Sequence, residues 1–365
     1  MNILSRDEFI SLMQEKLGTC VSIYMPTLNK GVDTQQNQIR YKNLLRDAEE
    51  RLISAGLRSS EAKDLIAPAQ ELMGDSSFWW NQKAGLALFF SLDFFKYYLV
   101  PQDFEELVVV AERFHLKPLL PILNKNLEFY ILAISQNSLR LFECSRFHSR
   151  EVRLEGMPES LDEALNLDGF EKRLQLHTGA EDTKLKIFQY FKQIDKGLRE
   201  FLKDKKSPLI FAGVDYLLPI YKEANTYPKL TEKGIPGNPE ELSGDKLHSM
   251  ALPIIDTILE QKKAKAEDKY RQSAGTGLTS RDTTEIINAA CDGRVKVLFV
   301  VIGVQKWGTF DRETAKVQIS DGPQAGNEDL LDLAAMETFL NGGIIYAVEP
   351  GEMPDQSNLA ALFRY

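Results

Sequence analysis

Two apolar runs near the end of the chain decide its fold class. They are Gly342-Gly343-Ile344-Ile345-Tyr346-Ala347-Val348 and, after a polar loop, Asn358-Leu359-Ala360-Ala361-Leu362-Phe363-Arg364-Tyr365. Short runs of this composition, bounded by glycine or polar residues, are typical of strands. We interpret the first run as a buried strand and the second as an edge strand. Upstream, the sequence predicts a helix from Thr283, a turn at 292–294 and a hydrophobic strand over Val295–Val301. Together these elements predict a compact α/β/α sandwich of ordinary domain size.

The order of these elements resembles the C-terminal domain of the archaeal and eukaryotic class-1 peptide release factors and of Pelota. The most specific parts are Gly293-Arg294-Val295-Lys296-Val297-Leu298-Phe299 and Leu359-Ala360-Ala361-Leu362-Phe363-Arg364-Tyr365. The whole chain is similar to the bacterial homologues of that superfamily, because residues 21–27, 38–45, 113–121 and 305–310 also look like that group. The resemblance implies a protein that acts around the ribosome.

The remaining segments also read as α/β. A strand over Cys20–Met25 ends at Pro26, and the helix after it carries Ile39, Leu44, Leu45, Ala48 and Leu52 on one side. Leu116–Pro121 contains two prolines, and we interpret it as a linker. Three short strands after it, then helices and the buried strand Pro208–Val214, indicate a ribonuclease H-like layer, which is also the fold of the release-factor middle domain. We therefore predict three α/β domains, at residues 1–120, 121–262 and 263–365, the last like the release-factor third domain.

The Gly-Gly-Gln motif of the superfamily is absent. In the relatives this loop of the middle domain positions a water at the peptidyl-tRNA ester. The single Gly-Gly pair here, Gly342-Gly343, is followed by Ile344. The corresponding loop precedes a helix predicted from about Asp182 to Leu202, and its degenerate hydrolytic-loop positions are Gln175, His177, Gly179 and Glu181. The resemblance thus implies a ribosome-occupying role without this chemistry, and we assign no catalytic residue.

That helix carries the densest basic stretch of an acidic protein. Its inward face is predicted to hold Leu185, Phe188, Ile194, Leu198 and Phe201. The candidate RNA-contacting residues are Lys184, Lys186, Lys192, Lys196, Arg199 and Lys203. The alternative is a solvated helix face whose lysines suit the helix dipole. The pair Trp79 and Trp80 is open to two interpretations, a stacking platform for bases or core packing.

Bulk composition limits the remaining classes. The 365 residues carry a net charge of −9, which argues against a dedicated nucleic-acid binder and leaves room for one local basic patch. The three cysteines and four histidines form no metal-ligand spacing, so neither a metal nor a cofactor is predicted. No membrane segment or leader is expected, which favours the cytoplasm.

Two functional hypotheses remain open from the sequence. The first is a ribosome- or tRNA-associated translation factor in termination, rescue or occupancy, with ribosome and tRNA as partners and no DNA or membrane. The second is a protein-interaction module that reuses the release-factor scaffold and binds a protein partner. A hydrolase using Gln175, His177 and Glu181 is a third, weaker alternative.

Overall fold

The computed structural model describes residues 4–14, 18–28, 34–135, 138–153, 160 and 180–365. The chain divides into two compact units, one made of Met1–Asn124 with Lys263–Tyr365 and the other of Lys125–Lys262. The predicted mixed α/β class is confirmed. The three-domain division remains a prediction. No helix among the described residues is long and apolar enough to cross a membrane.

The first part of the chain forms an antiparallel sheet with helices on one face. The elements are α1 (Arg6–Gln14), β1 (Cys20–Pro26), α2 (Thr34–Ser54), α3 (Ser59–Glu71), α4 (Ser76–Trp80), β2 (Gly85–Ser91), β3 (Phe94–Val100), β4 (Leu107–Ala111) and α5 (Leu120–Lys125). The strand order is β3-β2-β1-β4. Alternate β1 residues Val21, Ile23 and Met25 pack under α2 and α3. The predicted inward position of Ile39 is wrong, because its side chain is 63% exposed.

The predicted linker is also wrong. Leu116, Leu119 and Leu120 are at most 1% exposed, and the segment forms a 3-10 turn, Lys117–Leu119, that leads into α5. Pro118 stands near the start of the turn, where a missing backbone N–H costs nothing. The two prolines therefore begin regular structure here and do not prevent it.

The second unit contains one mixed sheet between helices. It comprises β5 (Phe129–Ile134), β6 (Leu139–Cys144), β7 (Ser149–Val152), α6 (Ala180–Leu202), β8 (Leu209–Gly213), α7 (Leu217–Ala224), β9 (Ile235–Pro236) and the beginning of α8 (Gly244–Gln272). The strand order is β7-β6-β5-β8-β9. β5, β6 and β7 are antiparallel neighbours, whereas β5, β8 and β9 are parallel. Both features agree with the element order behind the ribonuclease H-like expectation.

Helices cover both faces of this sheet. Tyr130, Leu132 and Ile134 of β5 pack against α6 and α7, and the alternate residues Phe129, Ile131 and Ala133 pack against α8. The buried face of α6 contains Ile187, Tyr190, Phe191, Ile194, Leu198 and Leu202. The predicted inward position of Leu185 is wrong, because this residue is 55% exposed.

The last part of the chain returns to the first unit. It contains β10 (Thr279–Ser280), α9 (Thr283–Cys291), β11 (Val295–Val301), β12 (Trp307–Asp311), β13 (Lys316–Ile319), β14 (Glu328–Asp329), α10 (Leu330–Leu340), β15 (Ile344–Val348) and β16 (Leu359–Phe363). The main sheet has the order β10-β16-β11-β15, and a second has the order β13-β12-β14. The end of α8 packs on one face of the main sheet, where Tyr270 meets Phe299.

The predicted positions of the two final strands are reversed. β16 lies inside the sheet between β10 and β11, and all five of its residues are buried. β15 is the edge strand, and Ile344 is 53% exposed. The reason is connectivity: β15 runs parallel to β11 and needs α10 as a crossover, so it is added outside, whereas β16 pairs antiparallel with β11 on its other side.

Candidate functional site

The six candidate RNA-contacting residues do not share one face of α6. At 100° per residue, Lys192, Lys196, Arg199 and Lys203 fall within a sector of about 60°. All four are exposed, and we call them the α6 stripe. Lys184 is exposed and Lys186 half-buried, but each lies roughly 100° from the centre of the stripe, on opposite sides. The structure therefore brings four of the six cations together.

Contacts with neighbouring side chains hold two members of the stripe in place. Phe188 lies under the ammonium of Lys192, with 5.5 Å from Nζ to the ring centroid. Arg199 Nη2 lies 3.4 Å from Asp195 Oδ2 and 3.2 Å from Thr226 Oγ1. Asp195, only 4% exposed, also accepts from the backbone N–H of Thr226 at 2.7 Å. Arg199 is thus held by the fold.

The three lysines of the stripe differ from Arg199. Within the described part of the chain, no carboxylate forms an ion pair with Lys192, Lys196 or Lys203. They extend over about 16 Å of helix, enough to meet more than one phosphate of a nucleic-acid backbone. The three lysines of the stripe thus form an uncompensated cationic surface on a protein of net charge −9.

The hydrolytic-loop positions cannot be placed in this site. Gln175, His177 and Gly179 lie outside the described residues. Glu181 falls in the first turn of α6, and its side chain is outside those described.

The two tryptophans differ in their surroundings. Trp79 is buried against Tyr41 and donates from Nε1 to Leu72 O at 2.9 Å, whereas Trp80 is 86% exposed. For Trp79, core packing is confirmed.

A buried polar cluster in the first unit was not predicted from the sequence. His115 and Lys117 lie directly before α5, and Asp329 and Asp332 lie at the start of α10. Asp329 Oδ2 lies 2.6 Å from Lys117 Nζ and 3.0 Å from His115 Nε2. Asp332 Oδ1 accepts from the backbone N–H groups of Leu116 and Lys117 at 2.8 and 2.6 Å. We call His115, Lys117, Asp329 and Asp332 the buried lock.

Burial and neighbouring charges shift the pKa values of the two aspartates in the buried lock. Burial acts to raise the pKa of Asp329, but the charge of Lys117 and the hydrogen bond of His115 outweigh it and lower that pKa to about 2. Burial raises the pKa of Asp332. The His–Asp geometry is that of a base with its orienting carboxylate, yet both side chains are at most 2% exposed. The arrangement joins the segment before α5 to the start of α10.

One signal in the sequence could have indicated the buried lock. Lys117 is a lone cation in the apolar run Leu116–Pro121, and a lysine in such a run needs a buried partner. A second contact nearby joins the same segments, since Arg113 pairs with Glu328 and with Glu337. Among the described residues, no group of three or more His, Cys, Asp or Glu is arranged to hold a metal ion.

Comparison with known proteins assigns the middle of the chain. Residues 128–294 match the family model of bacterial archaeo-eukaryotic release factor family 3. The match confirms the resemblance to the release-factor and Pelota superfamily. The matched segment includes the whole of α6 with its stripe, and the match supports a translation-factor-like role.

Solved structures of the superfamily align with the chain at low identity. Archaeal translation termination factor aRF1 covers 98% of this chain and 96% of its own, at 13% identity and a TM-score of 0.24. Pelota from Archaeoglobus fulgidus covers 77% of this chain and 79% of its own, at 14% identity and a TM-score of 0.32. A model of ribosome-bound archaeal Pelota and ABCE1 covers 98% of this chain and 94% of its own, at 13% identity and a TM-score of 0.41. A comparison with curated proteins found no match.

Proposed function

We propose that this protein is a ribosome-associated translation factor that occupies or rescues ribosomes and contacts rRNA or tRNA through the α6 stripe. The observation that carries the proposal is the family 3 match, which spans the helix bearing the uncompensated lysines. Backbone phosphates supply the anions that such a stripe lacks within the protein. Such a role places the protein with ribosomes in the cytoplasm.

The proposal does not include peptidyl-tRNA hydrolysis by the superfamily route. The sequence contains no Gly-Gly-Gln, and its only Gly-Gly pair lies at residues 342–343, between α10 and β15. A factor without this loop acts by binding, and its effect on the ribosome depends on occupancy. We therefore propose that it is not an enzyme of the family type.

The test is ribosome co-sedimentation from cell lysate across a salt series, with the triple variant Lys192→Gln, Lys196→Gln, Lys203→Gln. Wild-type binding is expected to fall steeply with salt. The variant is expected to bind at least about tenfold more weakly, with a log–log salt slope shallower by about 2, because each neutralised lysine removes about 0.7 of a released counterion. Sequencing of the co-purified RNA identifies the contact.

A matched control separates the stripe from net charge. Lys229→Gln, Lys233→Gln, Lys246→Gln removes the same three charges from positions outside the stripe in the same unit. This control is expected to sediment like wild type. Salt-insensitive recovery of a protein partner, with no RNA, would favour an interaction module in place of the proposed function. Equal binding by both triple variants would exclude the stripe as the contact.

A further inference from the structure

Four cations from three parts of the chain lie at one end of the main C-terminal sheet. Lys269 lies near the end of α8, Arg294 and Lys296 lie where β11 begins, and Arg364 directly follows β16. The backbones of two of them are joined there, because Arg364 N donates to Arg294 O at 2.8 Å. We call Lys269, Arg294, Lys296 and Arg364 the basic corner.

Lys296 occupies an irregular position in its strand. Val295 pairs with Phe363 and Val297 pairs with Leu362, so Lys296 is the extra residue of a β-bulge. It is also the single exposed residue of β11, whose other six residues are buried. Bulges of this kind redirect one side chain and recur beside functional sites. The bulge therefore presents one ammonium at the sheet end.

Lys269 directly precedes Tyr270, which packs with Val297 and Phe299 of β11, so this end of α8 lies beside the strand that carries Lys296. The hydrogen-bond contact and the charge of Lys269 lower the pKa of Lys296, and the charge of Arg364 acts in the same direction. A lysine near the end of a helix is explained by the helix dipole, which accounts for Lys269 alone.

The neighbouring carboxylates neutralise only one of the four cations of the basic corner. Glu267 and Asp268 pair with Arg271, at 3.5 and 3.6 Å, and Asp292 lies 3.5 Å from Arg294. Arg364 Nη2 donates to the backbone oxygen of Asn341 at 2.8 Å. In the part of the chain that the structure describes, Lys269, Lys296 and Arg364 form no ion pair. Three positive charges remain uncompensated.

We propose that the basic corner is a phosphate-binding site, distinct from the α6 stripe, which takes a phosphate group of an RNA backbone or of a free polyphosphate. An oxyanion between Lys269 and Lys296 relieves the repulsion between two ammonium groups. The guanidinium of Arg364 adds a planar donor suited to phosphate oxygens. The RNA form of the proposal rests on the proposed function, whereas the polyphosphate form does not.

The experiment measures binding of a short fluorescein-labelled RNA and of inorganic pyrophosphate to the full chain. Whichever of the two probes is the ligand, the variant Lys269→Gln, Lys296→Gln is expected to bind it about tenfold more weakly than wild type does. If RNA is the ligand, the salt slope becomes shallower by about 1.4. The control Lys63→Gln, Lys316→Gln removes the same charge from exposed positions of the same unit and is expected to match wild type.

A second readout locates the ligand. Mass spectrometry measures how fast Lys269 and Lys296 are acylated. Their acylation is expected to slow when the probe that binds them, RNA or pyrophosphate, is present. Protection by RNA alone identifies a backbone phosphate, and protection by pyrophosphate alone identifies a free polyphosphate. Equal affinities of the variant and the control for both probes, without protection by either, overturn the proposal.

These outcomes are separable from the ribosome test. Ribosome binding that depends on the α6 stripe, combined with no protection at Lys269 and Lys296, keeps the proposed function and removes the basic corner. Protection of the two lysines in a protein that never co-sediments with ribosomes keeps the basic corner and removes the proposed function.

Discussion

Replacement of Asp329 by asparagine is expected to lower the free energy of unfolding by about 3–5 kcal/mol. Asp329 is the N-cap of α10 and accepts from Leu331 N at 3.0 Å, and an asparagine oxygen can make the same bond. What the substitution removes is the negative charge beside Lys117, whose side chain is 1% exposed. A buried ammonium without its partner is far more costly than a lost cap. Urea denaturation at neutral pH measures the change.

A second aspartate cap provides the control. Asp282 begins α9 and accepts from Glu285 N at 2.8 Å, but its side chain is exposed and faces no buried cation. Asp282→Asn is therefore expected to change the unfolding free energy by no more than about 0.5 kcal/mol. Similar losses in the two variants would show that Asp329 serves only as a helix cap.

Acid provides an independent readout of the same interaction. The pKa of Asp329 is about 2 in the folded protein, below the ordinary 3.8. A carboxyl with a lowered folded pKa contributes stability above its unfolded pKa and loses it as pH falls through the folded one. The stability difference between wild type and Asp329→Asn should thus shrink by about 1.8 kcal/mol between pH 4 and pH 2. A difference that stays constant across this window would contradict the charge argument.

Local patterns predicted the elements well, but not their places in the sheets. The strands Val295–Val301 and Leu359–Phe363 and the helix from Thr283 were identified because alternation and capping act over a few residues. Which final strand lies at the edge depends on pairing between distant segments, so Ile344–Val348 was misplaced. The mixed α/β class followed from element order. The return of residues 263–365 to the first unit had no local signal.

The candidate site was predicted in part for a similar reason. The density of basic residues pointed to α6, but the sequence alone did not determine which side of the helix faces the core. The inward positions of Leu185 and Ile39 were wrong because an apolar residue was assumed to be buried. Once residues 187, 190 and 191 set the buried face, Lys192, Lys196 and Lys203 are placed together. The buried lock was missed because the two prolines of Leu116–Pro121 were interpreted as the sign of a linker.

Substitution of Gly308 by alanine is expected to cost about 3 kcal/mol of unfolding free energy. Gly308 is buried in β12 and pairs with both Ile319 and Glu328. A Cβ added there would lie 2.2 Å from the backbone oxygen of Gln318 and 2.8 Å from Leu330 Cδ1. A backbone oxygen in a paired strand cannot move aside as a side chain can, so the ladder between β12 and β13 must shift.

The control for Gly308 is Gly322→Ala, where an added Cβ meets nothing within 4 Å. That change is expected to be neutral or to stabilise by a few tenths of a kcal/mol. Urea midpoints compare the two variants, and near-equal midpoints would show that β12 tolerates the added methyl. The effect should also reach the buried lock, because Trp307 pairs with Asp329 and Lys306 N donates to Asp329 Oδ1 at 2.9 Å. A displaced β12 loosens this carboxylate, so Gly308→Ala should lose less stability than wild type between pH 4 and pH 2.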